Sequence, residues 1–463
     1  MVPDRFAPLL DETRAIAERF ERAGKRLYLV GGAVRDAILD RERGEHDFTT
    51  DARPDEIEAI VEGWADAIWL QGKRFGTIGF RKDGHVYEIT THRAEAYRPE
   101  SRKPDVRFAD VVDADLARRD FTVNAMALTL PGLQLIDPFD GLTDLARHRL
   151  RTPLTPEESF GDDPLRMLRA ARFIAGYQLK PEPEVTAAVE AMRARLEIVS
   201  AERIRTELDK LLVVEQPGPG LWFLVDTGLA DEFLPELTAL GLEQDPIHRH
   251  KDVLAHTIAV VERTPRDRIL RLAALLHDIG KPKTRSFGPN GVSFHHHEVV
   301  GARMARERMQ ALRYSNDDVA DVTRLVELHL RFHGYHEGDG GWTDSAVRRY
   351  ARDAGPLLDR LNVLTRADCT TRNKAKARLL AERMDLLETR IEELREREEL
   401  AAVRPELDGV QVMAHLGIGP GPVVGRALTF LLELHLDEGP LGEEEAYRRL
   451  DEWWAAQDEA SGA

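Results

Sequence analysis

The feature that most limits what this chain can fold into is a change of hydrophobic rhythm near residue 153. Before it, short β-rich runs alternate with helical stretches. KRLYLVGG reads as a strand entering a glycine turn, AVRDAILD as the helix that follows, and HDFTT as a second strand. Residues 1–24 fit a short amphipathic helix, and ARPDEIEAIVEGWADAIW fits a helix with Pro54 near its first turn. FGTIGFRKDGHVYEITTH is two strand-like runs around Lys82-Asp83-Gly84-His85, a hairpin signal. From about Pro153 the pattern is helical almost throughout, broken by EQPGPG at 215–220 and by GIGPGPVVG at 417–425, a tight turn between helices. The expected fold class is α+β: a mixed α/β head with an antiparallel-rich sheet, then an all-α remainder.

At roughly 150 residues per domain, 463 residues suggest about three domains. With 42% apolar and 32% charged residues the composition is globular, not disordered. No stretch approaches the ~18 uncharged apolar residues of a membrane span, and MVPDRFAPLLDETR has no basic start followed by an apolar run. The single cysteine, Cys369, excludes an intrachain disulfide and a Cys-cluster zinc site. A cytoplasmic protein with no membrane partner is expected. The net charge of −17 argues against bulk capture of nucleic acid, so RNA binding would rest on clustered arginines and weaken quickly with salt. After Lys374 comes a long charged helix. Its stripe of Leu380, Met384, Leu387, Ile391 and Leu394 spans only about two heptads and reads as a packing face rather than a dimer coil.

Gly31-Gly32-Ala33-Val34-Arg35-Asp36 lies between a strand and a helix. Glycines there let backbone approach a ligand, the helix N-terminus suits phosphate, and Arg35 could add a bidentate contact. Glu45 and Asp47, two apart on a strand, share a face, and Glu88 on the second hairpin arm could lie beside them. Three carboxylates beside a phosphate loop repel one another unless cations such as paired Mg²⁺ bridge them. On spacing alone, a solvated acidic strand edge is at least as consistent.

Taken with their neighbours, these segments resemble class II nucleotidyltransferases of the poly(A) polymerase and CCA-adding tRNA nucleotidyltransferase group. The carrying motifs are GGAVRDAIL with Glu45-His46-Asp47, Glu88 with Thr91 and Arg93, RRDFTVNA at 118–125, Asp137-Pro138 with Gly141-Leu142, DDPLRMLRAARF from Asp162, and SAERIRTELDKLL from Ser200. The similarity spans nearly the whole chain and looks most like the long bacterial form with a C-terminal histidine-aspartate (HD) domain. It implies Glu45, Asp47 and Glu88 as catalytic residues, with Glu45 and Asp47 holding Mg²⁺. It implies nucleotide contacts at Gly31, Gly32, Arg35 and Arg169, base selection by Asp163 and Arg166, ribose contacts by Asp120 and Asn124, and Arg119 at the triphosphate. Asp163 and Arg166, three apart on one helix, could satisfy the amino and ring-acceptor edges of cytosine and adenine but not of uracil or guanine. The implied reaction is template-free addition or repair of a tRNA 3′-terminal CCA from CTP and ATP, releasing pyrophosphate. One position departs from the family's usual Asp-x-Asp: Glu45 is longer by one methylene. Either activity is reduced, or Asp47 and Glu88 carry the metals with Glu45 repacked. Residues 95–108, polar and proline-containing, are a candidate mobile loop near the site.

Ten of the sixteen histidines fall between His248 and His336. His256, His277, Asp278, His297, His329 and Asp368 look like the ordered pattern of HD phosphohydrolases. That resemblance implies a second divalent metal (Mg, Mn, Ni or Zn) and a phosphodiesterase or phosphatase activity. His248, His250, His295 and His296 are as consistent with surface decoration. Arginines and lysines gather at 344–379 (Arg348, Arg349, Arg352, Arg366, Arg372, Lys374, Lys376, Arg378), where a phosphate-tracking face and a solvated helix face are equally consistent. The expected domains are a catalytic head (1–152), a helical neck and body for base selection and RNA binding (153–245), the HD domain (246–370) and a helical tail for tRNA (371–463). A poly(A) polymerase and a partial enzyme adding only C or only A share these motifs; the rivals from other classes are an HD phosphohydrolase whose head merely binds RNA and a purely scaffolding RNA-binding protein, against which the acidic net charge argues.

Overall fold

The computed structural model describes residues 7–41, 46–93, 108–241, 252–288, 291–334, 342–369, 374–398 and 404–461. It divides into two compact units, Met1–Gly241 with Arg308–Tyr314, and Leu242–Glu307 with Ser315–Ala463.

The first unit is built on a seven-stranded sheet of β1 (Leu27–Val30), β2 (His46–Thr50), β3 (Ala67–Trp69), β4 (Thr77–Lys82), β5 (His85–Thr91), β6 (Ala127–Leu130) and β7 (Leu135–Ile136), in the order β3-β4-β5-β2-β1-β6-β7. Only the β2–β5 pair is parallel; the other pairings are antiparallel. Alternation along each strand decides its faces. Leu27, Leu29, Phe48, Ile78, Phe80 and Ile89 enter one core with Ile57 and Val61 of the Pro54–Val61 helix, while Tyr28 and Val30 join Val112 and Leu116 on the opposite face. The β4–β5 turn follows from Asp83-Gly84, both at positive φ, as a tight hairpin requires. The long helix expected over ARPDEIEAIVEGWADAIW is corrected: it ends at Val61, and Ala67–Trp69 forms an edge strand against β4. The apolar run there is shared between helix and strand, which periodicity alone does not separate.

Beyond the sheet the unit is helical apart from the two-residue pair β8 (Arg149–Leu150) and β9 (Lys180–Pro181). A capping box at Thr155 and Glu158, with Pro156 at the first helical position, starts Pro156–Asp162. Leu165–Tyr177 follows and packs against Ala201–Leu212 and Gly218–Asp226, the two helices separated by the expected proline-glycine break.

In the second unit Val253–Arg263, Arg268–Leu276, Asn316–Leu328 and Leu358–Asp368 pack together. One element here departs from the all-helical expectation, a hairpin of β10 (Arg285–Gly288) and β11 (Gly291–Phe294). The stripe on Lys374–Glu398 is a packing face within the chain, with Met384, Leu387, Ile391 and Leu394 buried. A small apolar cluster of Leu407, Val412, Ala427, Leu431 and Leu450 ties the last helices together.

Candidate functional site

Parallel pairing sets Asp47 of β2 directly opposite Glu88 of β5. Their neighbours Phe48 and Ile89 enter the core, so the two carboxylates project together from the other face and are exposed. They line an open cleft of about 260 Å³ with Thr90, Arg93, Asp115, Arg118 and Arg119. Glu45, the third expected carboxylate, and nearly all of the 95–108 loop lie outside the described residues. A paired set of hard oxygen donors on one face, with guanidinium groups around it, suits a divalent cation together with a polyphosphate.

Asp115, which the motifs did not single out, organises the arginine side of the cleft. Its carboxylate accepts Arg119 Nη2 at 3.2 Å and the Arg93 amide at 3.3 Å. Arg119 also explains Gly31. That residue has φ +71°, which favours glycine, and an added Cβ would come 2.7 Å from Arg119 Nη1, so the guanidinium would have to shift. Gly32 opens the Gly32–Ile38 helix behind it. Gly141 is tied to the neighbouring motif in the same way, since a Cβ there would stand 2.2 Å from the Thr122 carbonyl oxygen.

Four of the residues expected at the nucleotide, Arg35, Asp120, Asn124 and Arg169, join one internal network. Asp120 is buried. Its Oδ1 accepts Asn124 Nδ2 and the Phe121 amide, each at 2.9 Å, and its Oδ2 accepts Arg169 Nε at 2.8 Å. Burial alone would raise its pKa, but the Arg169 charge, with the Asn124 and Arg169 hydrogen bonds, holds it well below the usual carboxylate range. Asn124 Oδ1 in turn accepts Arg35 Nη1. The Arg35 side chain, expected at phosphate, is buried and turned inward. It donates to both oxygens of Asp36 at 2.9 and 2.8 Å and to the Tyr177 hydroxyl, and its guanidinium lies 4.0 Å from the Tyr177 ring centroid. Arg169 also faces Glu207 at 3.5 Å, which Arg172 holds at 2.7 Å. The chain of contacts thus joins the sheet's helix to Leu165–Tyr177. Tyr177 was missed because a lone tyrosine at a helix end carries no motif.

The expectation that Asp163 and Arg166 share a helix face is also corrected. Asp163 is an extended residue between two helices and Pro164 caps the second, since the residue before proline is pushed out of helical geometry. Asp163 pairs with Arg203 at 2.7 Å. Arg166 is buried and donates to Ser159 Oγ at 2.9 Å and to the Arg118 carbonyl, which fixes the backbone of a cleft residue.

In the second unit, His256, His277, Asp278, His297, His329 and Asp368 come from five helical segments to one place. His256, His277 and Asp278 form one group, and Asp278, His297 and His329 another, each with ligand atoms within 4.8 Å of one another. Asp368 Oδ1 lies 2.9 Å from His256 Nε2. The Nδ1–H groups of His277, His297 and His329 donate to the carbonyls of Ala274, Phe294 and Val326 at 2.6–2.8 Å. For His297 and His329 that leaves Nε2 as an acceptor, and these buried Nε2 atoms have no hydrogen-bond partner, whereas His277 Nε2 faces Asp278 Oδ2 at 3.2 Å. Nitrogen acceptors aimed at a shared carboxylate fit a divalent cation. Burial, with the His277 charge, drives the His329 pKa down to about 3, keeping it in the neutral form a ligand needs. Burial opposes charging His277, but Asp278 and Asp368 outweigh it and raise its pKa to about 10, so a proton balances part of the acidic charge. Gly280 has right-handed backbone geometry, φ −76°, so a left-handed turn is not what requires glycine here. An added Cβ would stand 2.2 Å from the His297 carbonyl oxygen, so the glycine lets the two ligand-bearing segments touch.

His295 and His296 are exposed, and His248 and His250 lie outside the described residues. The basic run at 344–379 is largely neutralised. Arg348 is buried on the Leu436 carbonyl, and Arg349, Arg352, Arg366 and Arg378 pair with Asp437, Asp353, Asp385 and Glu388, and Glu382 respectively. Arg372 and the side chains of Lys374 and Lys376 are outside the described set. Among the described residues, no helix is long and apolar enough to cross a membrane.

Three stretches match known families: residues 27–151 the poly A polymerase head domain, 178–240 the probable RNA- and SrmB-binding site of polymerase A, and 253–373 the HD domain. The chain is 36% identical over 354 residues to the A-adding tRNA nucleotidyltransferase of Deinococcus radiodurans, covering 73% of this chain and 79% of that one. It is 37% identical over 270 residues to the CCA-adding enzyme of Latilactobacillus sakei, covering 56% of this chain and 66%, just under two thirds, of that relative. The fold matches the Bacillus stearothermophilus CCA-adding enzyme solved with CTP, with a TM-score of 0.67 at 23% identity over 99% of this chain and 100% of that one.

Proposed function

We propose that this chain, which belongs to the family of class II CCA-adding tRNA nucleotidyltransferases and poly(A) polymerases, adds or repairs the 3′-terminal CCA of tRNA with CTP and ATP. The observation that carries this reading is the in-register pair Asp47 and Glu88 at the mouth of an arginine-lined cleft. Asp47 and Glu88, with Glu45, would hold Mg²⁺, which when bound assists loss of the proton from the attacking hydroxyl and offsets charge on the phosphates. The tRNA 3′-oxygen adds to the α-phosphorus, and the bond from that phosphorus to the pyrophosphate oxygen breaks. Arg93, Arg118 and Arg119 supply fixed positive charge for the triphosphate, and Asp115 keeps Arg119 oriented. Arg35, Asn124, Asp120 and Arg169 act as positioning residues beneath the cleft. We assign base selection to Asp163 and Arg166 with the Arg118 backbone.

The proposed division is head 1–152, neck and body 153–245, HD domain 246–370 and tail 371–463. A second reading, addition of A alone, is favoured by the name of the Deinococcus radiodurans relative. The HD cluster fits a divalent cation and a phosphohydrolase activity. Purified protein incubated with tRNA lacking C, CA or CCA, one labelled nucleotide at a time, separates the readings. CCA addition predicts C incorporation and then a single A. Incorporation of A only, onto ends already carrying CC, selects the second reading, and unlimited A addition defeats both.

A further inference from the structure

The hairpin of β10 and β11 is joined to the metal-ligand cluster at one end and exposed at the other. Its register pairs Arg285 with Phe294 and Phe287 with Val292, so these four side chains share one face, while Ser286 and Ser293 pair on the reverse at 2.8 Å. Phe294 is the inner end. Its carbonyl accepts His297 Nδ1 at 2.8 Å, and its ring lies 5.8 Å from Lys281 Nζ, which is itself 2.6 Å from Asp278 Oδ2. Phe287 is the outer end and is 69% exposed, with the Arg285 guanidinium 4.8 Å from its ring centroid. Arg285 covers one part of the ring, and the exposure leaves the rest in water.

A phenylalanine ring left 69% exposed beside a guanidinium offers a flat apolar face to a ligand. The surrounding charge states which kind. Lys283 and Arg285 precede Phe287, Lys281 beside them is held by Asp278 at 2.6 Å, and exposed His295 and His296 follow β11, with Glu298 3.8 Å from His296. Aromatic rings flanked by cations stack nucleic-acid bases while holding their phosphates. We propose that this face is the stacking platform for the unpaired terminal nucleotide of an RNA, delivering its phosphate ester to the HD cluster. The proposal rests on the phosphohydrolase reading of that cluster. In that hydrolysis a water oxygen adds to phosphorus, the bond from phosphorus to the ribose oxygen breaks, and the ribose oxygen takes the proton.

Two measurements on the full chain test it. In chelator, without metal, Phe287→Trp emission corrected for wild type is followed while a short single-stranded oligoadenylate is added to saturation. Quenching that weakens with salt is expected, and unchanged emission overturns the platform. With Mn²⁺, hydrolysis of a nucleoside 2′-phosphate is compared with that of base-free glycerol 2-phosphate. Phe287→Ala should raise KM for the nucleotide about 5- to 150-fold, the range of one lost base stack, leave the glycerol ester unchanged, and be rescued by Phe287→Trp. An equal effect on both esters, or none on either, overturns the platform. If wild type hydrolyses neither ester, the phosphohydrolase reading fails, and the quenching result alone decides the platform.

Discussion

Replacing Asp120 by alanine should destabilise the first unit by ~3 kcal/mol, the lower end of what breaking a buried ion pair costs. The structure sets the figure. Asp120 is 7% exposed, and its carboxylate accepts two donations from Arg169, one from Asn124 and one from the Phe121 amide. The lower end applies because the Arg169 side chain is 30% exposed and water can partly replace the lost partner. Glu207 offers little compensation, since Arg172 already holds it at 2.7 Å. At about 2–4 °C per kcal/mol for a unit of this size, one calorimetric transition should fall by ~6–12 °C while the transition of the other unit stays in place. The exposed pair Arg14–Asp11, with side chains 62% and 74% exposed, is the control, and Arg14→Ala should leave both transitions where they are. Replacing both partners, Asp120→Leu with Arg169→Met, should cost less than Asp120→Ala alone, because no unpaired charge is then left. If Asp120→Ala shifts no more than the control, the network does not hold the unit together and its positioning role fails with it.

The same carboxylate predicts an acid limit. Its folded pKa lies below the unfolded value of about 3.9, so its contribution is complete above that pH and is lost as pH falls below it. Unfolding monitored from pH 6 to 2 should show a loss that is absent in Asp120→Asn. Gly31→Ala combines a left-handed backbone with a Cβ 2.7 Å from Arg119 Nη1, so kcat/KM for the nucleotide should fall by up to ~10²-fold if Arg119 is displaced by ~1 Å. An unchanged kcat/KM would separate Arg119 from the triphosphate. Asp278 is shared by both ligand groups of the HD cluster, so Asp278→Ala should lose bound divalent metal, measured by elemental analysis after dialysis, while His296→Ala keeps it.

Much of this was legible in the sequence because the chemistry depends on short-range spacing. Strand alternation put Asp47 on the correct face, Asp83-Gly84 announced the hairpin that brings Glu88 beside it, and the histidine set converged as its pattern implied. What local spacing leaves open has one cause. Whether Arg35, Asp120 and Asn124 face a ligand or one another depends on Arg169 and Tyr177, which come from a helix distant in sequence, and no local signal encodes that meeting. Three-residue spacing alone puts Asp163 on a helix with Arg166, and Pro164 is the local signal against it. Two signals were available and overlooked. Asp115 stands four residues before Arg119, a pairing distance on a helical turn, and Asn290-Gly291 between short apolar runs marks the hairpin that interrupts the helical half.

The central claim is that Asp47 and Glu88 together perform nucleotidyl transfer, and incorporation of labelled CTP and ATP into tRNA ending before CCA tests it most directly. Wild type with Mg²⁺ should add C, C and then one A and stop, while Asp47→Ala and Glu88→Ala each lower incorporation by ~10²–10³-fold with unchanged melting behaviour. Incorporation that survives either substitution undiminished would contradict the account.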